Sequence, residues 1–380
     1  MRSILYLTHL GGLGGGESSL LAHILALDDT RFAPRVICGA PGAFIDELRA
    51  HNVPADMLPF GLPYFRHGFI PTATPSFFFR LYNYLRAHKI CLIHCNDSES
   101  AYYAAPLAKW LRIPFVWTCW AWWQAERGWK SAFYERFFTR IVTPTEYLKR
   151  CLVQANPRLE ERITVLPFGV DVQKFSPGAR EVSVLDELKI PRDVPVITVL
   201  ARFQSVKGHD VLLDAAPKIL EAFPTARFLF VGDTAFDTQD ANTTRRQIHQ
   251  RVEADARLRA AVGFTGFRLD IPRVLRATDV LVCPSWLETY GMANLEAMAC
   301  AVPVVSTNVG GPSETIVDGE TGFLVPPHDP DAIAERICEL LSNAALRRRM
   351  GERGRCRVEQ RYDLKSSVAG LERIYEMLVG

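Results

Sequence analysis

The sequence predicts an α/β protein made of two doubly wound parallel sheets, and three observations support this fold class. Short apolar runs of strand length alternate with amphipathic stretches of helix length, which is typical of parallel sheets covered by helices. The pattern restarts near Asp193, about halfway along the 380 residues. A segment with two prolines, Pro167–Pro177, lies between the halves and is predicted to connect them.

The first half contains the apolar runs of one sheet. The predicted strands are Ile4–Leu10, Pro34–Ala40, Ile90–Asn96, Ile113–Trp120, Thr139–Thr145 and Arg162–Val170. Helices are predicted at Ser18–Leu27 and Phe77–Lys89. The second of these helices is aromatic and basic, so it could pack on the sheet or touch an anionic membrane. We therefore predict an N-terminal domain over residues 1–168 and a linker over residues 169–177.

The second half repeats this arrangement and predicts a C-terminal domain over residues 178–363. The predicted strands are Asp193–Phe203, Ala226–Asp233, Ala261–Phe267, Thr278–Ser285, Val302–Asn308 and Gly322–Pro327. Helices are predicted at His209–Phe223, at Gln239–Ala261 and after Asp331. A last helix, within residues 364–380, could complete its own domain or pack back on the N-terminal one.

Composition indicates a globular protein without a nucleic-acid partner. Hydrophobic residues make up 48% and charged residues 23% of the chain, which is typical of globular domains. The net charge is only +2, so no broad positive field would attract nucleic acid. The 9 cysteines are scattered without a CxxC pair, as expected for reduced thiols in the cytoplasm. The apolar runs are too short for a membrane span or a signal peptide.

The segment Pro284–Pro303 carries two carboxylates where α/β proteins bind ligands. A predicted strand leads into it, Glu288 lies in the following loop, and Glu296 lies in the first turns of the next helix. Ligands of open α/β sheets bind beyond the carboxyl ends of the strands, and the N–H groups of a helix start favour phosphate. A carboxylate there suits paired hydroxyls, such as those of a ribose or a hexose. Glu296 could instead only stabilise a surface helix through its dipole.

Two cations, Arg202 and Lys207, follow the first predicted strand of the second half. Cations at that edge can neutralise a diphosphate without a metal ion, although most loop cations are simply solvated. The run Asp97–Glu99 only faintly resembles an Asp-x-Asp metal motif, and its position is not that of a metal site. We therefore predict an anion site that needs no metal.

Six motifs in the expected order resemble those of the retaining nucleotide-sugar glycosyltransferases of family 4, also called glycosyltransferase group 1. They are GGLGGGE (residues 11–17), VLPFGVDVQKFSP (165–177), ARFQSVKGHDVLLDA (201–215), FLFVGD (228–233), ETYGMANLEAMACAVPVV (288–305) and NVGGPSETIVDGETGFLVPPHDP (308–330). The resemblance covers nearly the whole chain. It implies the GT-B fold, in which two Rossmann-like domains face a central cleft that holds the active site.

The resemblance implies that the C-terminal domain binds the nucleotide sugar. Arg202 and Lys207 would bind the diphosphate. Glu288 would lie near the donor sugar and Glu296 would bind the ribose hydroxyls, so the catalytic candidates are Glu288, Arg202 and Lys207. The further donor-binding candidates are Gly15, Gly16, Gly232, Phe267, Tyr290, Gly291, Met292 and Ala293. The expected donor is a UDP- or GDP-linked sugar, with no other cofactor and no metal.

The N-terminal domain of this family holds the acceptor, and there the sequence departs from the family pattern. Many members have Thr-x-His after the strand that here ends in Thr118-Cys119-Trp120, so Trp120 replaces the histidine. Five tryptophans lie between Trp117 and Trp129. The acceptor-binding candidates are His94, Trp120 and Trp122. The tryptophan cluster could instead be core, and a histidine at a strand end such as His94 is often structural.

The predicted function is transfer, with retention, of a hexose-type sugar from a nucleotide sugar to a glycan, glycolipid or small-molecule acceptor. The resemblance implies a cytoplasmic enzyme of surface polysaccharide or glycoconjugate biosynthesis, which could touch the inner face of the membrane. The alternatives are a GT-B sugar-nucleotide epimerase and a catalytically silent sugar-nucleotide-binding protein. A nicotinamide dehydrogenase is disfavoured, because no acidic residue ends the second predicted strand as the dinucleotide motif requires.

Overall fold

The computed structural model describes residues 1–60, 75–234 and 239–380. The chain divides into two compact units. Residues 1–169 and 364–380 form the first unit, and residues 170–363 form the second. Each unit contains a parallel β-sheet covered by helices, so the predicted fold class is confirmed.

The first unit is built on a seven-stranded sheet. Its strands are β1 (Arg2–Thr8), β2 (Phe32–Cys38), β3 (Ala55–Met57), β4 (Leu92–Cys95), β5 (Phe115–Thr118), β6 (Arg140–Thr143) and β7 (Ile163–Val165). Its helices are α1 (Gly15–Leu25), α2 (Ala43–Ala50), α3 (Pro75–Ala87), α4 (Ser98–Trp110), α5 (Trp129–Phe137), α6 (Glu146–Ala155) and, from the end of the chain, α16 (Leu364–Val379). The strand order is β3-β2-β1-β4-β5-β6-β7, with every pair parallel.

The order of the first sheet reverses between β1 and β4, which pair although β2 and β3 separate them in the chain. Ligands of doubly wound sheets bind at such a switch point. The central strands are buried along their length, as expected where helices cover both faces of a parallel sheet. The Asp97 side chain begins α4 by accepting a hydrogen bond of 2.7 Å from the Ser100 N–H.

The second unit is built on a six-stranded sheet. Its strands are β8 (Val196–Leu200), β9 (Arg227–Val231), β10 (Val262–Gly266), β11 (Val280–Cys283), β12 (Val304–Thr307) and β13 (Phe323–Val325). Its helices are α7 (Val182–Glu187), α8 (His209–Ala222), α9 (Gln239–Ala254), α10 (Ala256–Ala261), α11 (Ile271–Arg276), α12 (Met292–Ala299), α13 (Pro312–Thr315), α14 (Pro330–Ser342) and α15 (Ala344–Arg361). The order is β10-β9-β8-β11-β12-β13, so the switch point lies between β8 and β11.

Local structure departs from the sequence predictions in three places. The helix predicted over Gln239–Ala261 is two helices, because the Asp255 side chain accepts hydrogen bonds from two backbone N–H groups and starts α10. The strand predicted over Arg162–Val170 joins the sheet only over β7, and Val170 forms a separate bridge with Asp363. The edge strand β3 was not predicted.

None of the helices in the described parts of the chain combines the length and apolarity that crossing a membrane requires.

Candidate functional site

The candidate residues of the second unit lie where the neighbouring strands β8 and β11 end. The loop after β8 carries Arg202 and Lys207, and the loop after β11 carries Glu288. The two loops are hydrogen-bonded to each other. The Trp286 backbone N–H donates to the Val206 carbonyl at 3.1 Å, and its indole Nε1 donates to a neighbouring carbonyl at 2.8 Å. Residues that are far apart in the chain are thus held side by side at the switch point.

Lys207 and Glu288 form an ion pair at this edge. The Lys207 Nζ lies 2.7 Å from Glu288 Oε2, and the two side chains are only 20% and 11% exposed. The Ser285 hydroxyl donates to the same oxygen at 3.3 Å. Burial raises the pKa of Glu288, but the ammonium of Lys207, together with hydrogen bonds from Ser285 and the Tyr290 backbone, lowers it more, so the pKa lies below its usual range. The carboxylate is therefore ionised at neutral pH, and the site holds a shielded pair of opposite charges.

Gly208 lets the two loops approach closely. Its φ of +66° is in the left-handed region that favours glycine. A Cβ at this position would lie 2.1 Å from the Pro284 carbonyl oxygen, so a larger residue would push the loops apart. Gly208 also begins α8. The glycine that follows Lys207 is therefore required by the backbone itself.

The other donor-binding candidates near β8 surround the same edge. Arg202 is half-buried in the loop after β8. Gly232, directly after β9, has a φ of +136° and would place a Cβ 2.2 Å from the Ala201 carbonyl oxygen. Phe267, directly after β10, is 53% exposed. The ends of three adjacent strands thus carry a cation (Arg202), a closely packed backbone segment (Gly232) and an exposed aromatic ring (Phe267).

The helix α12 begins beside the ion pair. Gly291 precedes it with a φ of +85°, and Met292 and Ala293 occupy its first positions. The N–H groups of a first helical turn have no intrahelical acceptor and suit an anion. A Cβ on Gly311 would lie 2.4 Å from Tyr290 Cα, so Gly311 lets its own chain pack against the turn before this helix.

Glu296 lies one turn into α12 and is half-buried. Burial raises its pKa to about 7, although Lys174 acts in the opposite direction. Its carboxylate accepts no hydrogen bond from the described residues, which leaves both oxygens available to a ligand. Tyr290, in contrast, is only 3% exposed. Its ring therefore belongs to the core, and only its backbone is placed to meet a ligand.

Sequence analysis missed a cavity of about 610 Å³ in the second unit that adjoins Gly232. The His249 ring stacks on the Phe264 ring with centroids 3.9 Å apart. Arg245 donates to Asp233 Oδ1 at 2.9 Å on the same wall. The polar character of α9 was visible in the sequence, but polar residues that line a cavity look the same in sequence as those that face solvent.

In the first unit, the glycine loop runs from the end of β1 into α1. The Glu17 carboxylate accepts a hydrogen bond of 3.2 Å from the Gly14 N–H and so closes the loop. A Cβ on Gly11 would lie 2.2 Å from the Pro41 carbonyl oxygen, so packing requires that glycine. A Cβ on Gly15 would meet nothing within 4 Å, and one on Gly16 would meet only the Trp120 ring at 3.5 Å. Protein neighbours do not require glycine at either site, and the space before Gly15 is open.

Trp120 is half-buried and packed against the glycine loop. Its indole Nε1 donates to Asn96 Oδ1 at 2.8 Å. Its ring centroid lies 4.6 Å from that of Phe168. Trp120, which stands where the family pattern has a histidine, therefore has a structural role. Its ring also lies beside Gly16.

We expect Trp120→Ala to lower the free energy of unfolding by about 2–3 kcal/mol, because it removes a partly buried ring and a hydrogen bond. Trp120→Phe should retain most of that stability. If the ring also forms part of the acceptor surface, Trp120→Phe should raise the KM for the acceptor although its melting temperature stays close to that of the wild-type protein. Equal melting temperatures for Trp120→Ala and the wild-type protein would contradict the packing described here.

The structure divides the tryptophan cluster into core and surface members. Trp117 is fully buried, whereas Trp122, Trp123 and Trp129 are 41%, 55% and 45% exposed. The Trp122 and Trp123 rings meet edge to face with centroids 6.0 Å apart. Trp122 is therefore available to a ligand. The cluster as a whole is neither entirely core nor entirely an acceptor-binding surface.

His94 lies in the core of the first unit and is 2% exposed. Its Nε2 lies 2.7 Å from the Thr118 hydroxyl, and its Nδ1 is hydrogen-bonded to the Tyr375 hydroxyl of α16. Burial, and to a smaller extent His23, lowers its pKa to about 3. Both ring nitrogens are occupied, so His94 fastens α16 to the sheet, and the expectation that it contacts an acceptor is not supported by its position.

The switch point of the first sheet also contains a charged cluster, in which His9 joins the Asp97 and Glu99 carboxylates that the sequence had shown only as a faint metal motif. Ligand atoms of His9, Asp97 and Glu99 lie within 4.8 Å of one another. The His9 Nδ1 lies 3.0 Å from Asp97 Oδ1. Burial lowers the pKa of His9, but the carboxylates of Asp97, Glu99 and Glu17 together raise it more, to about 9. His9 is thus an imidazolium at neutral pH and already satisfies these carboxylates. His9 and Asp97 are 88 positions apart in the chain, so the sequence conceals the pair.

Family models match both halves of the chain. The model described as Glycosyltransferase Family 4 matches residues 13–174, and the model described as Glycosyl transferases group 1 matches residues 184–357. Spore coat protein SA of Bacillus subtilis is 30% identical over 250 residues, which cover 62% of this chain and 64% of that protein. The D-inositol 3-phosphate glycosyltransferase of Stackebrandtia nassauensis is 32% identical over 216 residues, 55% of this chain and 48% of that protein. The chain therefore spans about half to two thirds of the length of these curated relatives.

Solved structures of the GT-B type share the fold over the full chain. The Anabaena protein HepE in complex with UDP and glucose aligns with a TM-score of 0.85 at 23% identity, covering 99% of this chain and 100% of that one. Sucrose-phosphate synthase from Thermosynechococcus elongatus aligns with a TM-score of 0.81 at 22% identity, covering 100% and 99%. At these identities the likeness establishes the fold and not the substrates.

Proposed function

The chain belongs to the group 1 glycosyl transferases, and from this we propose that it is a retaining, metal-independent hexosyltransferase. It takes a UDP- or GDP-linked sugar as donor and a hydroxyl of a glycan, glycolipid or small molecule as acceptor. The observation that carries the proposal is the Lys207–Glu288 ion pair beside the start of α12, at the switch point of the second sheet.

The donor diphosphate would lie against Lys207, Arg202 and the first N–H groups of α12. Negative charge grows on the diphosphate as the bond to the sugar C1 breaks, and fixed donors in a shielded site stabilise that charge efficiently. The Lys207 side chain is only 20% exposed, so its charge is weakly screened. Glu296, one turn further along α12, would accept hydrogen bonds from the two ribose hydroxyls.

In this proposal the acceptor hydroxyl attacks the sugar C1 from the same face that the diphosphate leaves, so the configuration at C1 is retained. Glu288 is held in an ion pair that lowers its pKa, which makes its carboxylate a weaker nucleophile. This supports a route without a covalent glycosyl-enzyme, in which an oxygen of the departing diphosphate takes the proton of the acceptor hydroxyl. Glu288 would then orient Lys207 and the sugar hydroxyls.

The acceptor would bind on the first unit. The open space before Gly15 and the exposed ring of Trp122 support a polar acceptor with sugar-like faces, since aromatic rings stack on sugars. The curated relatives named for D-inositol 3-phosphate make a phosphorylated polyol a useful first test compound. On α3, Phe79 is 66% exposed, which supports a peripheral contact with the inner membrane face if the acceptor is lipid-linked. We place the activity in surface polysaccharide or glycoconjugate biosynthesis.

The test is a thermal-shift screen of nucleotide sugars, followed by an assay for a new glycoside. A ligand present at about 100 times its Kd stabilises the folded state by roughly 2.7 kcal/mol. UDP-glucose comes first, because the structural relative HepE carries UDP and glucose. Stabilisation together with an acceptor-dependent product supports the proposal. Epimerised donor without product would identify an epimerase, and binding without any turnover would identify a silent binding protein.

We expect full transferase activity after treatment with EDTA. Lys207 and Arg202 supply the positive charge that a metal ion would otherwise bring to the diphosphate. The measurement compares initial rates in EDTA with those in added magnesium or manganese. Loss of activity in EDTA that manganese restores would contradict the proposal, and the His9–Asp97–Glu99 cluster would then be the first place to look for the ion.

A further inference from the structure

A second cavity, of about 850 Å³, lies in the first unit away from the candidate residues. Pro114 and Thr139, which immediately precede β5 and β6, form part of its wall. The cavity is therefore at the amino edge of the sheet, whereas the glycine loop and Trp120 follow strands at the carboxyl edge. It is therefore separate from the acceptor-binding candidates of the same unit.

Four cations line this cavity: Lys109, Arg112, Arg136 and Arg162. None of them forms an ion pair with a carboxylate within residues 1–60, 75–234 and 239–380. Some other cations of the chain are held in ion pairs, as Arg268 is with both Glu187 and Asp270. The cavity instead brings four cations that lack such a pair among the described residues to one concave surface.

The one carboxylate in the lining, Glu135, offsets only part of the charge of these four cations. Glu135 accepts a hydrogen bond of 2.9 Å from Asn156 Nδ2 and lies 3.5 Å from Arg158 Nη1. Its charge is thus shared with groups outside the cavity. The lining retains a clear excess of positive charge.

Two of the cations are fixed in place by backbone carbonyls at the end of α5. The Lys109 Nζ donates to the Arg136 carbonyl at 2.7 Å, and Arg162 Nη1 donates to the Phe138 carbonyl at 2.9 Å. The negative end of the helix dipole accounts for part of this attraction. Burial first, and then the charges of Arg136 and Arg162, lower the pKa of Lys109. The cations therefore repel one another, and a bound anion would relieve that repulsion.

We propose that this cavity binds a phosphate group carrying at least two negative charges. Arginine forks match phosphate oxygens in pairs. Arg112 and Arg136 have no partner among the described residues, so their forks are available. Such a phosphate could belong to a soluble molecule or to the headgroup of an anionic lipid. Trp110, next to Lys109 in the chain, is 72% exposed. This exposed ring suits a lipid headgroup as the source of the phosphate, because tryptophan favours the membrane interface.

The first test is calorimetric titration of the full chain with inorganic pyrophosphate, in excess UDP-glucose to occupy the proposed donor site. Each phosphate of UDP-glucose carries only one negative charge, so it lacks the doubly charged group proposed for the cavity. The variant Arg112→Gln with Arg136→Gln should bind pyrophosphate at least about tenfold more weakly than the wild-type protein. The matched control is Arg127→Gln with Arg349→Gln, which removes the same charge at exposed sites outside the cavity and should bind as the wild-type protein does. Absence of saturable binding to the wild-type protein, or equal binding by the cavity variant, would overturn the proposal.

The second arm distinguishes the two sources of phosphate. The wild-type protein and both double variants are floated with phosphatidylcholine vesicles, with and without phosphatidic acid. Flotation that needs phosphatidic acid and is lost only in the cavity variant assigns the site to a lipid headgroup. Pyrophosphate binding without flotation assigns it to a soluble phosphate. Flotation that persists in the cavity variant, without a difference in pyrophosphate binding, would reject the cavity as the phosphate site.

Discussion

Lys207→Ala is expected to lower the turnover number by tens- to several hundred-fold, or about 2–4 kcal/mol of transition-state stabilisation. The charge on the leaving diphosphate is larger in the transition state than in the bound donor, so a fixed cation acts mainly on turnover. Arg202→Ala should change the kinetics in the same direction. The measurement is kcat and KM for the donor with each variant.

Lys218→Ala is the matched control for this experiment. Lys218 is also ion-paired, at 3.0 Å from Asp331 and 3.1 Å from Glu335, but it is 46% exposed. Surface pairs of this kind contribute little to stability, so its loss should leave turnover unchanged. Near-normal turnover in both Lys207→Ala and Arg202→Ala would remove the basis for assigning these cations to the diphosphate.

Loss of Lys207 also lowers folding stability, and this effect must be separated from its effect on catalysis. Lys207→Ala leaves the Glu288 carboxylate shielded from solvent without its cation, which costs folding stability. Adding Glu288→Gln removes the unpaired charge. The double variant should therefore recover melting temperature but not turnover, and this difference separates the structural from the catalytic part of the Lys207 effect. Recovery of turnover in the double variant would show that the loss was structural.

Much of the fold could be predicted because the buried strands of parallel sheets are nearly continuous apolar runs. β11 and β12 lie within the predicted strands Thr278–Ser285 and Val302–Asn308, which extend one or two residues further at each end. β3 could not be predicted in this way, because two of its three residues are exposed and leave no apolar signal. The break at Asp255 was missed because α9 and α10 share one polar, charged composition, and only the capping geometry divides them.

The candidate site was predictable as a set of motifs, but not as a set of contacts. Lys207 and Glu288 were predicted to meet different parts of the donor, whereas the structure pairs them across 81 residues of sequence. His94 has the same residue type and strand-end position that an acceptor contact would have, and only its partner Tyr375, 281 residues away, places it in the core. Contacts of this range depend on tertiary packing, which single-sequence patterns do not report.

Glu296→Ala is expected to weaken nucleotide-sugar binding by at least roughly a hundredfold while the protein remains folded. A carboxylate that accepts hydrogen bonds from two ribose hydroxyls gains about 1.5–3 kcal/mol from each, and these bonds exist already in the bound ground state. The loss should therefore appear in the Kd, measured by calorimetry. Unchanged affinity in the variant would show that Glu296 only supports its helix. Glu296→Gln keeps the shape of the side chain and tests the charge alone.

The pH dependence of donor binding offers an independent check on the same residue. Burial raises the pKa of Glu296 to about 7, and the ionised carboxylate accepts hydrogen bonds from the two hydroxyls much more strongly than the protonated acid does. Below that pKa the ionised fraction falls about tenfold per pH unit, so affinity at pH 6 should be roughly tenfold lower than at pH 8. The diphosphate of a nucleotide sugar does not titrate in this range. Glu296→Gln should lose the pH dependence, and a wild-type Kd that is constant from pH 6 to pH 8 would contradict the assignment.

The raised pKa also fixes the direction in which Glu296 affects stability. The folded protein binds the proton of Glu296 more tightly than the unfolded chain does, so the contribution of this group to stability falls as pH rises from its unfolded pKa toward 7. At pH 8 the buried, ionised carboxylate is therefore destabilising in the unliganded protein. Glu296→Gln should melt at the same temperature as the wild-type protein or higher at pH 8, although it binds donor poorly. A lower melting temperature would mean that the carboxylate stabilises the fold, and the loss of binding would then no longer identify it as a ligand for the ribose.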